Sequence, residues 1–129
     1  MKQSYLKFPQ NEWGVVVVTD FDVDYDHDVM VEQMRSFGLS IRNAEKALRI
    51  LANYNTGMAI SNETLKMSVI YVSDTTNESQ FWDTCAHELA HVCAAIIDAY
   101  DVNYRSEDAA YLSGFLMRQL VEEIGEPCL

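Results

Sequence analysis

Positive charge is scarce in this chain of 129 residues: nine lysines and arginines face twenty aspartates and glutamates, leaving a formal net charge of -11. Affinity for a phosphate backbone comes from cations that displace counterions, so this balance argues against nucleic acid as a direct partner. It favours divalent cations and basic peptide segments instead. Long apolar runs are lacking too. Nothing approaches the roughly 20 unbroken apolar residues that a membrane span needs, and the start of the chain has no basic segment leading into an apolar one. These absences predict a soluble protein that is not exported. Cys85, Cys93 and Cys128 are an odd number of cysteines without CxxC spacing. They predict reduced thiols and a cytoplasmic location. What the chain does have is 49% hydrophobic residues, enough for one domain over 1–129 that buries a single core without disulfides.

The β-branched run Val15-Val16-Val17-Val18, within Glu12 to Asp20, predicts a buried strand. The acidic stretch that follows, Asp20, Asp22, Asp24, Asp26 and Asp28, invites comparison with a calcium loop. The register fails: counted from Asp22, the obligatory glycine is His27 and the bidentate glutamate is Gln33. A solvated strand end and helix cap is the better reading. Helices are predicted over Asp28 to Phe37, stopped at Gly38, and from a Ser40 cap to about Asn55. Two strands, Met58 to Ser61 and Lys66 to Ser73, are predicted to form a hairpin connected through Asn62 and Glu63. Asn77 to Tyr100 reads as one long helix, and Ser106 caps a last one to about Ile124, ended by Gly125 and Pro127. The order of strand, two helices, two strands and two helices predicts an α+β domain with a small sheet packed on helices.

The chemistry concentrates in His87-Glu88-Leu89-Ala90-His91, inside the long helix. Residues four apart on a helix lie one above the other, so both imidazoles can reach one cation while Glu88 stands beside the attacking water as general base. Zinc suits that set, because it prefers nitrogen ligands and tolerates an open position. Phe81, Cys85, Leu89, Val92, Cys93, Ile96 and Tyr100 form a wide apolar face on the same helix, with Asp83, His87, His91 and Asp98 opposite. Such a stripe is accounted for if a metal in a cleft partners it, and Asp83 is placed to support His87 from outside the shell. Glu107 on the next helix is the expected third ligand, with Asp108 its substitute. Ala110, Tyr111 and Gly114 follow on its face, where small residues would let two helices approach; Gly114 costs the helix about 1 kcal/mol against alanine.

Asn55-Thr56-Gly57 through Lys66 to Ser73, Phe81-Trp82-Asp83-Thr84 before the HExxH block, and Ser106 through Gly114 resemble small phage-borne or mobile-element HExxH proteins. The resemblance covers the last half of the chain and implies a zinc metallopeptidase-like, minimal gluzincin-like build, with His87, His91 and Glu107 on the metal. Tyr111 stands where many gluzincins carry an outer-shell aspartate.

The enzyme so implied cleaves amides: zinc acidifies water, Glu88 takes its proton and later returns it to the leaving amine. Tyr100, Tyr104, Tyr111 or His27 is the expected donor to the developing oxyanion. A peptide or protein substrate would lie along an exposed edge strand, for which Lys66 to Ser73 is the candidate. Two rival classes stand beside the enzyme: a non-catalytic zinc-binding accessory or inhibitor protein of a phage or mobile element, and a metal-free α+β interaction domain.

Overall fold

The run of valines forms the middle of the sheet in a computed structural model that describes residues 1–8, 12–101, 103 and 105–125. The elements in chain order are β1 (Lys2–Phe8), β2 (Trp13–Thr19), α1 (His27–Ser36), α2 (Ile41–Leu51), β3 (Gly57–Asn62), β4 (Met67–Val72), α3 (Glu78–Ala99) and α4 (Glu107–Ile124). The strands make one mixed sheet in the order β1-β2-β4-β3. β1 runs antiparallel to β2, β2 parallel to β4 with Val16 opposite Val69, and β3 antiparallel to β4. The fold is α+β, as the element pattern predicts.

Side chains alternate across the strands, so the sheet feeds two cores. Trp13, Val15, Val17, Ile70 and Val72 pack with Phe81, Cys85, Leu89, Val92 and Ile96 of α3 and with Leu112, Leu116 and Leu120 of α4. On the other face Val18, Val69 and Tyr71 pack with Met30 and Met34 of α1 and with Ala44, Ala47, Leu48 and Leu51 of α2. The result is three layers, with the HExxH helix on one side of the sheet and the acidic loop with its two helices on the other. Among the described residues no helix is long and apolar enough to cross a membrane.

Several boundaries differ from the sequence reading. β1 was not expected: Leu6 is fully buried while Tyr5 is half exposed, so no apolar run marks the strand. β4 is an interior strand paired on both sides, so Lys66 to Ser73 cannot be the exposed edge. The edges are β1 and β3. They are not equivalent. The Gln119 amide of α4 donates to the Lys7 carbonyl at 2.8 Å and accepts the Lys7 N–H at 3.1 Å, occupying the outward-facing backbone groups of that one residue of β1. α2 stops at Leu51 rather than Asn55, where Asn53 turns its side-chain amide back onto the Arg49 and Ile50 carbonyls. In the acidic loop Asp22 accepts the backbone N–H groups of Asp24 and Tyr25, and Asp26 accepts that of Asp22. These carboxylates fold the turn into α1, although the N-cap position, Asp26, makes no side-chain cap bond.

Candidate metal centre

α3 begins as the sequence indicates: Asn77 accepts the backbone N–H of Gln80 at 2.8 Å and caps it. No proline or glycine interrupts the helix up to Tyr100, and its apolar stripe is buried against the sheet. That burial fixes its rotation, which in turn places the chemistry. His87 and His91 fall on the exposed side with Asp83 and Asp98, while Glu88 turns inward to 6% exposure.

The His87 Nε2 stands 3.7 Å from Glu88 Oε1. The two imidazole rings lie edge to face with centroids 5.0 Å apart. One ligand atom from each of His87, Glu88 and His91 lies within 4.8 Å of the others, and this is the group of three among the described residues that could hold a metal ion. The two imidazole nitrogens are donors that zinc accepts, and a tetrahedral ion needs them roughly 3.3 Å apart, with the Glu88 carboxylate beside the ion rather than on it. Rotation of the imidazoles covers the difference, since the His87 side chain is 69% exposed. The donor set therefore fits the group. The cysteines do not join it: Cys85 and Cys93 are free and buried on the inner face, where burial pushes the Cys85 thiol up to about 12 and raises Cys93 as well. Cys128 lies outside the described residues.

Burial also raises the Glu88 carboxyl above its ordinary range, partly offset by the positive charge that His87 and His91 can carry. A carboxyl held in that state is a stronger proton acceptor once ionised than one on the surface, which is what a general base requires.

The remaining sequence candidates lie elsewhere. Glu107 and Asp108 are exposed in the first turn of α4, and neither belongs to the group around His87. α4 buries Ala109, Leu112, Leu116 and Leu120, and at 3.6 residues per turn Glu107 projects from nearly the opposite side. α3 meets α4 through a Cys93–Ser113 hydrogen bond, on a flank roughly 120° from His87 and 160° from His91 around the helix. The expected close approach at Gly114 is not there: a Cβ at that position would meet nothing within 4 Å, and Tyr111 is 70% exposed. The polar stripe of α3 faces solvent rather than a cleft, and no hydrogen bond joins Asp83 to His87.

Of the four expected oxyanion donors, His27 sits in the helical layer across the sheet, bonded to Asp28 and Glu45. Tyr100 caps the far end of α3 against Trp13 and Lys66, roughly 13 Å along the axis from His91. Tyr104 lies outside the described residues. Two residues to which the sequence reading gave no role gather at Glu88: Thr84, one turn before it, and Gly57 at the start of β3. A glycine opening a strand is the signal that points to such a contact. No family model, curated protein or solved structure matches this chain.

Proposed function

We propose that this chain is a zinc-dependent peptidase of zincin-like build, in which His87 and His91 hold the metal and Glu88 is the general base. The observation that carries the reading is a buried carboxyl standing between two exposed imidazoles one helical turn apart. A bound zinc ion would supply acidification of water and polarisation of the scissile carbonyl. Glu88 then accepts the proton of the attacking water on its carboxylate and passes it to the leaving amine.

The open edge of the sheet supports a peptide substrate. Ser73 donates its N–H to the Thr56 carbonyl, and pairing alternates along an antiparallel ladder, so the backbone groups of Gly57, Ala59 and Ser61 face outward from β3. An extended peptide can pair with them beside α3. Catalytic zinc sites use three protein ligands as a rule. Glu107 completes that shell only if the first turn of α4 rotates toward α3.

That same exposure favours a second reading, a zinc-binding accessory or inhibitor protein of a phage or mobile element that performs no hydrolysis. Glu88→Gln separates the two. In the enzyme it lowers peptide cleavage by about a hundredfold or more and leaves about one zinc per chain. Cleavage that survives the substitution removes Glu88 as the base, and a wild-type protein that binds zinc yet cleaves no peptide leaves the accessory reading in place.

A further inference from the structure

Gly57, the first residue of β3, has no room for a side chain. A Cβ built there stands 2.8 Å from Glu88 Cγ, 2.8 Å from Thr84 Cγ2 and 3.2 Å from the Tyr71 carbonyl oxygen. Its φ is not positive, so the glycine serves close approach and not an unusual backbone conformation. The approach is held from both sides. Thr56 donates its N–H to Ser73 Oγ at 2.9 Å, and Ser73 donates its N–H to the Thr56 carbonyl at 3.0 Å. Asn55 donates its N–H to the Asp74 carbonyl at 2.9 Å and accepts the Thr76 N–H at 3.1 Å. Asn77, the cap of α3, follows at once. The start of β3 and the start of α3 are therefore tied to one joint, which sets how deeply the helix lies against the strand.

We infer that Gly57 is a positioning residue for Glu88: its bare Cα lets β3 rest on the Glu88 side chain and fixes where the carboxylate stands relative to His87 and His91. The catalytic consequence rests on the proposed role of Glu88; the positional one does not. The Glu88 methylenes lie against strand backbone, which cannot yield, so a methyl group added at Gly57 has to displace both Glu88 and Thr84, each with a carbon 2.8 Å from that position.

The test is Gly57→Ala in the full chain, followed by crystal structure, zinc titration and peptide kinetics. The expected result is a displaced Glu88 carboxylate with the histidine pair unmoved. Zinc affinity stays within about threefold and KM is unchanged, while kcat falls about a hundredfold, as a misplacement of about 1 Å does. Gly57→Ala with Thr84→Ser removes the Thr84 contact and leaves the one with Glu88, so the carboxylate stays displaced and kcat stays within about threefold of the single variant; it also serves if the single variant does not fold. A Glu88 carboxylate in its wild-type place in the variant crystal overturns the inference, as does a parallel loss of zinc affinity and kcat. Wild-type protein that binds zinc but cleaves nothing sinks the peptidase reading instead, and the crystal comparison alone then decides the role of Gly57.

Discussion

Each face of the sheet carries histidine chemistry, and the two sites differ in what the ring nitrogens already touch. On one face His27 bridges α1 and α2, with Nδ1 2.9 Å from Asp28 and Nε2 2.9 Å from the Glu45 carboxylate. Those hydrogen bonds, Asp28 first and Glu45 second, raise its pKa above the usual 6.5. With both nitrogens at hydrogen-bond distance from carboxylates, neither is open to a metal. On the other face His87 has Glu88 at 3.7 Å and an exposed ring. In a chain of net charge -11, a carboxylate beside a histidine is common. An uncommitted nitrogen distinguishes a ligand from a clamp.

The sharpest way to break this contrast is to remove one histidine from each face. His91→Ala is expected to weaken zinc binding by at least about a hundredfold in competition with a chromophoric chelator, and His27→Ala to leave it within about threefold. Equal losses would erase the distinction. The helix caps extend it to stability. Asn77→Ala and Ser40→Ala, which cap α3 and α2, should each cost about 1 kcal/mol in denaturant unfolding, with zinc affinity lowered only by the first.

The clamp is also readable by pH. A histidine whose folded pKa is raised contributes stability that is fully present below its unfolded value and is lost as pH rises through the folded one. The gap in thermal midpoint between wild type and His27→Gln should therefore be wide near about pH 5.5 and narrow by about pH 8.5. A gap that widens toward alkaline pH would refute the clamp. The smallest effect belongs to Glu107→Gln, which leaves zinc affinity within about threefold if α4 keeps its orientation. A loss of tenfold or more would demonstrate that α4 turns to complete the shell.

Much of this was legible in the chain because it is local. Ser40 and Ser106 each cap the helix they were expected to cap, the long helix begins at the expected Asn77, and the apolar stripe of α3 places His87 and His91 on its outer side as its period requires. What escaped was decided at long range. Strand order depends on which segments pair, so neither β1 nor the interior place of β4 followed from patterns within each strand. The position of Glu107 depends on how α4 rolls about its axis. Ala109, Leu112, Leu116 and Leu120 set that roll, and reading them first would have turned Glu107 outward. Gly57 carries the same lesson, since its partner Glu88 is a distant residue in sequence.

The amide of Gln119 on Lys7 has a consequence for self-association. A growing fibril needs two free rims on every unit, and here one is obstructed at Lys7 by a side chain. Copies that join along β3 would use their open rim, whereas joining along β1 has to displace Gln119 from Lys7 first.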